Sequence, residues 1–188
     1  MSSNGTETPR TEKRSRTLGD VIPRLATEIA HLDVGSAAAL RRGPLSGAGA
    51  AAFWKLLARY SPDGAARRWA ALIQAIAILT PKGRRPGTEP AHDGARSMGE
   101  ALHGAGVSEL RLARLLAAPS EQRPQLVVRT CRRLARTDFK RFDLVTLGQF
   151  VLSDDDTHAA RRIARDYYRA DLQAKRKFRD KETTTTHA

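Results

Sequence analysis

The sequence has a single cysteine, few aromatic residues and no long apolar segment. Cys131 has no second thiol with which to form an internal disulfide bond. Phe, Trp and Tyr make up 5% of the chain, too few for a base-stacking platform to be the main contact with single-stranded nucleic acid. No apolar run reaches the ~18 residues that span a bilayer, and no hydrophobic stretch follows the charged N-terminus. We therefore expect a cytoplasmic protein with no membrane partner.

Signatures of catalysis and of cofactor binding are also missing from the sequence. No glycine-rich phosphate loop ends in Lys-Ser/Thr, and no His pair has metal-ligand spacing with cysteine. The acidic run Asp154–Asp156 resembles a cation site, but such a run just before a helix more commonly complements the helix dipole. We expect no enzyme activity, no metal and no cofactor.

What the chain has in excess is positive charge. Its 188 residues include 33 Lys and Arg against 20 Asp and Glu, which gives a net charge of +13. A GC-rich coding bias would enrich Arg, Ala and Gly together, but it explains the choice of Arg over Lys better than it explains the net charge. The excess favours a polyanionic partner, either nucleic acid or an acidic membrane surface.

Apolar residues recur at three- and four-residue steps almost throughout, and no sustained two-residue alternation stands out. This pattern predicts an all-α fold of about nine helices. We expect helical lobes at 18–80 and 97–178, joined by a Gly/Pro-rich basic loop at 81–96. Residues 1–17 are predicted to be disordered, and residues 179–188 to form a polar tail.

Polar residues mark the predicted starts of several helices. Ser97 and Glu100 have the spacing of a capping box, while Ser108 and Asp143 are predicted to cap the helices that follow them. Further helices are expected at about 121–136 and from the acidic run to about residue 178. The centre of the first lobe is predicted to consist of Trp69, Leu72, Ile73, Ile76 and Leu79.

Two of these helices are predicted to carry a row of arginines along one face. At about 100° per residue, four arginines of 121–136 fall within an arc of about 100°, opposite an apolar face that contains Cys131. The four are Arg129, Arg132, Arg133 and Arg136. The last helix has a second arc, formed by Arg161, Arg162, Arg165, Arg169 and Arg176.

A phosphate backbone accounts for such rows better than solvation alone. Solvated helix faces usually mix charges of both signs, because like charges at i,i+4 destabilise a helix by ~0.2–0.5 kcal/mol per pair. Arginine engages phosphate through a planar fork of donors, and such contacts do not depend on base sequence. A merely solvated basic face remains the alternative interpretation.

Four segments together resemble CasB, the small subunit of the type I-E CRISPR Cascade complex. They are VGSAAALRR (34–42), SMGEALHGAGVSELRLARLL (97–116), VVRTCRRLA (127–135) and RRIARDYY (161–168). The resemblance covers about residues 18–172. It implies an all-helical fold in two lobes and two copies of the chain within a ribonucleoprotein. There the copies would steady the guide RNA–target DNA heteroduplex and the displaced strand, without catalysis and without a cofactor.

The implied partners are the guide RNA, the target and non-target DNA strands, the other Cascade subunits and a second copy of the chain. The matching basic positions are Arg41 or Arg42, Arg111, the pair Arg132–Arg133, and Arg162; Arg67, Arg68 and Lys82 match less closely. With the two arginine rows, the candidate nucleic-acid-binding residues are Arg41, Arg42, Arg67, Arg68, Lys82, Arg111, Arg129, Arg132, Arg133, Arg136, Lys140, Arg161, Arg162 and Arg165.

Two other interpretations are carried forward from the sequence. The chain can be a free-standing nucleic-acid-binding regulator, for which the segment 107–116 would serve as a recognition helix. The last helix can lie on a membrane surface, although its apolar face consists mostly of Ala and Tyr. Within the leading interpretation, Arg111 is alternatively an ion-pair partner of Glu109 or Asp143.

Overall fold

The computed structural model describes residues 17–43, 47–60, 65–81, 89–154 and 157–185, with side chains as far as Arg179 and without that of Ala48. Residues 1–16 of the predicted disordered N-terminal arm (1–17) and Lys82 lie outside the described residues. Within those ranges the chain is helical and has no strand, so the all-α prediction is confirmed. The helices are α1 Leu18–His31, α2 Val34–Arg42, α3 Ala50–Tyr60, α4 Ala66–Leu79, α5 Met98–Gly104, α6 Glu109–Leu116, α7 Arg123–Leu134, α8 Leu144–Leu152 and α9 Thr157–Thr185, with a short 3-10 helix Gly47–Gly49 before α3.

Two of the three predicted helix caps are confirmed. The Ser97 hydroxyl accepts a hydrogen bond from the Glu100 amide (3.2 Å), and the Glu100 carboxylate accepts one from the Ser97 amide (2.9 Å). Asp143 accepts from the Val145 amide (3.0 Å) at the start of α8. Ser108 occupies the cap position of α6, but its side chain accepts no capping hydrogen bond, so that detail of the prediction is wrong.

Two helix boundaries differ from the predicted ones. The end of α7 is at Leu134, and the Arg136 amide donates to the Arg133 carbonyl (3.1 Å) in a turn, so Arg136 does not belong to the helix. α9 begins at Thr157 and continues to Thr185, so most of the predicted polar tail is helical. The tail contains good helix formers such as Lys, Arg and Glu, and no Gly or Pro interrupts α9.

The core is centred on α4, as the sequence predicted. Trp69, Leu72, Ile73, Ile76 and Leu79 are all buried, and burying each large side chain contributes about 1.5–3 kcal/mol. α4 packs against α1 and α2 and also against α7 and α8. Its buried side chains belong to a hydrophobic cluster that includes residues of both predicted lobes. The division into two lobes stays a prediction.

The second half of the predicted loop is held against the segment that leads into α8. The Asp93 amide donates to the Phe142 carbonyl (3.0 Å), and the Asp143 amide donates to the Arg96 carbonyl (2.8 Å). Arg141 forms an ion pair with Glu89. These contacts place the starts of α5 and α8 next to each other.

A glycine allows α5 and α9 to approach closely. A Cβ atom on Gly99 would lie 2.4 Å from the Ile163 carbonyl oxygen and 2.4 Å from the Tyr167 amide nitrogen. Both neighbours are backbone atoms of a long helix, which cannot swing aside as a side chain can. α9 is also tied to the segment between α5 and α6, because the Tyr167 hydroxyl donates to the Val107 carbonyl (2.6 Å).

We expect Gly99→Ala to lower the free energy of unfolding by about 1–3 kcal/mol, because α5 and α9 must separate. For a chain of this size, each kcal/mol lowers Tm by about 2–4 °C, which calorimetry or circular dichroism can measure. Gly19→Ala is the matched control, since Gly19 is exposed in α1 and its added Cβ meets only the Thr17 hydroxyl at 3.5 Å. The control is expected to be neutral or stabilising. Equal Tm values for the two variants would contradict the close approach.

Candidate nucleic-acid interface

α7 separates its apolar and basic residues onto opposite sides, as the helical spacing predicted. Val127, Cys131 and Leu134 are fully buried, whereas Arg129 and Arg132 are exposed. The buried side packs against α4, α6 and α8. The exposed side is therefore a basic ridge supported from below by the core.

Grooves run along both sides of this ridge. Between α4 and α7, a groove of about 410 Å3 is bordered by Arg67, Arg129 and Arg132. Between α6 and α7, a groove of about 270 Å3 is bordered by Arg111, Arg114, Arg129 and Arg133. A third, of about 460 Å3, lies at the N-terminal end of α7 and also includes Arg114 and Arg129. We call the six arginines that border these grooves the α7 surface: Arg67, Arg111, Arg114, Arg129, Arg132 and Arg133.

The α7 surface carries little compensating negative charge. Within the described ranges, none of its six arginines forms an ion pair with a carboxylate. Arg133 donates to the Gly106 carbonyl (3.0 Å), which ties α7 to the turn before α6. Asp143 pairs with Arg162, so it is not the partner of Arg111 that the sequence left open. The six guanidinium groups together form a cationic surface with open grooves beside it.

One member of the α7 surface, Arg114, was missed by the sequence reasoning. It lies three residues after Arg111 and is exposed on the same helix, α6. That i,i+3 spacing was a usable signal, because residues three apart are neighbours on a helix surface. Only the packing of α6 beside α7 brings both side chains to the same groove as Arg129 and Arg133.

Two predicted site residues instead hold the fold together. Arg41 donates from Nε to the Ala77 carbonyl (2.8 Å) and from Nη2 to the Thr80 carbonyl (3.2 Å), so it caps the C-terminal end of α4. Burial lowers the pKa of this guanidinium below its usual value. Its neighbour Arg42 is exposed. Of the pair in the LRR motif, Arg42 is thus the one that faces solvent.

Arg68 is the second of these structural arginines. It donates from Nη1 to the Leu152 carbonyl at the end of α8 (3.1 Å) and forms an ion pair with Asp154. The hydrogen bond from Arg68, followed by the Coulombic attraction of its charge, lowers the pKa of Asp154. The first residue of the acidic run thus pairs with an arginine of α4, and the other two lie outside the described residues.

The arginine row of α9 does not adjoin the α7 surface. α9 packs against α5, α6 and α8, and the grooves beside α7 contain no residue of α9. Arg162 pairs with Asp143 (3.3 Å) and Arg165 with the adjacent Asp166 (3.1 Å). The exposed members of the row are Arg161, Arg165, Arg169 and Arg176.

The remaining candidates lie past the end of α7. Arg136 is exposed, and Lys140 is half-buried between α7 and α8. The turn that ends the helix before Lys140 was predicted. Neither residue borders the grooves beside α7.

Another structural arginine, Arg123, carried no signal in the sequence. It is buried at the start of α7 and donates to the Phe150 carbonyl (3.1 Å) and the Ser153 carbonyl (3.2 Å), so it caps the end of α8. Its guanidinium carbon lies 4.9 Å from the centre of the Phe150 ring. In a chain with so many arginines, only the tertiary contacts distinguish this one.

We expect Arg162→Gln to lower the free energy of unfolding by about 0.5–1 kcal/mol, because the mostly buried Asp143 carboxylate loses its ion-pair partner. Arg161→Gln is the neighbouring control, since Arg161 is exposed and takes part in no described ion pair. Urea denaturation of the two variants measures the difference. A control that is destabilised as much as Arg162→Gln would argue against a structural role for the pair.

The thiol of Cys131 is predicted to be unreactive in the native protein. Although arginines flank it in the sequence, it is fully buried on the opposite side of α7, and burial raises its pKa to about 12. A thiol-specific disulfide reagent such as DTNB at neutral pH should label it only after unfolding, because the thiolate is the reactive form. The folded protein holds the thiol proton more tightly than the unfolded chain does. The free energy of unfolding is therefore expected to fall as pH rises from about 9 towards 12. Rapid labelling without denaturant would contradict this placement.

Other kinds of site are not found in the part of the chain that the structure describes. No cluster of three or more His, Cys, Asp or Glu side chains there is arranged to hold a metal ion. The same residues contain no helix both long and apolar enough to cross a membrane.

Over the residues that the structure describes, the fold is all-helical, and α7 forms an arginine-lined surface with grooves beside it. The family model "CRISPR-associated protein Cse2" matches residues 36–168, well over half of the chain. The chain therefore belongs to the Cse2 family, also called CasB, of the type I-E Cascade complex, and the resemblance seen in the sequence is confirmed. Searches of curated proteins and of solved structures gave no match. The family makes the chain a structural subunit of a CRISPR Cascade complex.

Proposed function

We propose that this subunit is non-catalytic and binds nucleic-acid backbone through the α7 surface, steadying the opened target DNA in the assembled complex. The observation that carries the proposal is a row of exposed arginines, free of ion pairs within the described ranges, on a helix whose other side is locked into the core. The partners are the heteroduplex of guide RNA and target DNA, and the displaced strand.

The α7 surface suits a polyanion because it combines charge with a rigid support. Arg129 borders all three grooves, so a phosphate chain lying along the ridge has arginines on both sides. These contacts do not read bases, and this agrees with a complex in which guide pairing selects the sequence. The exposed arginines of α9 would form a separate contact region for another part of the nucleic acid.

The rest of the proposal follows from the family. Two copies of the chain would pack within the complex, so that two α7 surfaces follow the same opened duplex. Arg129 and Arg132 are the best residues for testing this role, because no described hydrogen bond ties either side chain to the fold. Arg133 is less suitable, since its bond to the Gly106 carbonyl also supports the structure.

We expect Arg129→Glu/Arg132→Glu to weaken retention of target DNA by the assembled complex. The logarithm of affinity should also depend less steeply on the logarithm of salt concentration, by about 0.7 per lost single-strand phosphate contact or about 0.9 per duplex contact. Dissociation of labelled target DNA across a salt titration measures both effects. Circular dichroism and co-purification with the other subunits show that the variant folds and assembles.

Arg24→Glu/Lys55→Glu is the charge-matched control. It makes the same change in net charge on α1 and α3, at exposed residues that do not border the α7 surface. The control is expected to retain DNA as the unmodified complex does. If both double variants release DNA at the same rate, general electrostatic attraction and not the α7 surface is responsible, and the proposal fails.

A further inference from the structure

The groove between α4 and α7 has features that phosphate binding alone does not require. Its floor is apolar and largely buried, formed in part by Ala70, Ala71 and Val128. A phosphate group gains nothing from such a floor, whereas a flat, weakly polar ring does. The groove therefore offers a surface for something other than the charged part of a nucleic acid.

The walls of the groove add polar groups at defined positions. Gln74 donates from Nε2 to the Arg41 carbonyl (3.0 Å), so its amide is held in place beside the floor. Gln125 stands on the α7 side, and three arginines, Arg67, Arg129 and Arg132, complete the rim. Amides can hydrogen-bond base edges, and guanidinium planes can stack on bases as well as bind phosphate.

The volume of the groove limits what can enter. About 410 Å3 lies within the range of clefts that hold small ligands, and a double helix is far too wide for it. In a duplex the flat faces of the bases are stacked on one another, so none of them can cover the apolar floor. A base that has left its stack can enter while its phosphates stay at the arginine rim.

We infer that the α4–α7 groove binds one unstacked nucleotide of a single strand, with the base on the apolar floor and its phosphates on the rim arginines. This inference rests on the proposed function and makes it more specific, because it assigns the ridge beside the groove to single-stranded nucleic acid. The low aromatic content of the chain is compatible with one such pocket, since arginine planes and aliphatic side chains take the place of a stacking platform.

The test compares two strands that have the same phosphates but differ in their bases. Fluorescence anisotropy is measured with the full chain and a labelled single-stranded oligodeoxynucleotide, and again with a strand of equal length in which every nucleotide is abasic. We expect the base-bearing strand to bind about fivefold to tenfold more tightly, with a similar salt dependence for both strands. Equal affinities for the two strands would overturn the inference.

Filling the groove should remove the preference and leave the phosphate contacts. Ala71→Leu places a larger side chain on the floor and is expected to reduce the preference for the base-bearing strand towards unity, with an unchanged salt dependence. Ala113→Leu makes the same substitution at an exposed position of α6 outside the groove and should keep the preference. A preference that persists in a folded Ala71→Leu protein would overturn the inference. If thermal melting shows that Ala71→Leu does not fold, the comparison of the two strands decides.

Two further outcomes separate the possible failures. Salt-dependent binding that is equal for both strands leaves the proposed function standing and removes only the nucleotide groove. An absence of salt-dependent binding to either strand overturns the nucleotide groove, and the retention of target DNA by the assembled complex then decides the proposed function separately. AMP at the same nucleotide concentration should not displace the strand, because a lone nucleotide cannot reach the other arginines of the ridge. Displacement by AMP would contradict the assignment to a strand.

Discussion

The burial of the apolar side of α7 against α4 is the contact on which the rest of the structure depends. Val127, Cys131 and Leu134 are fully buried there, which fixes the rotation of the helix about its axis. Once that rotation is set, the arginines at the intervening positions must face solvent. Like charges held this close oppose folding, and the hydrophobic contact supplies the compensating free energy. The basic ridge therefore follows directly from how the core is packed.

Arginines have two roles in this molecule. Those that support the fold are buried or half-buried, whereas those of the candidate interface are exposed. Arg41, Arg68 and Arg123 donate to carbonyl groups at the ends of α4 and α8, where the last turn of a helix leaves acceptors without intrahelical partners. Arg129 and Arg132 make no such contact and stand beside open grooves. A guanidinium group suits both parts because it offers five donors in a rigid plane. Composition alone cannot tell the two groups apart, since both contribute equally to the net charge.

The match to the Cse2 family covers the α7 surface but only part of α9. The matched residues end at Tyr168, so most of the exposed half of α9 lies beyond them. The grooves, in contrast, lie wholly within the matched region. The α7 surface thus lies within the region that the family model covers, while the end of α9, with its exposed basic side chains, lies outside it.

The sequence by itself determined the all-helical class, the capping of α5 and α8, the buried core of α4 and the amphipathic division of α7, because each depends on residues at most four apart. It also carried the family resemblance. Only the tertiary structure decided which arginines form one surface, since Arg67, Arg111 and Arg129 are far apart along the chain and meet through helix packing. The same packing places Arg41 and Arg68 in hydrogen bonds to the ends of α4 and α8, and it pairs Arg162 with Asp143. It also brings apolar residues of α4 and α7 together as the floor of a groove. Such choices depend on contacts between distant segments, which no local pattern records.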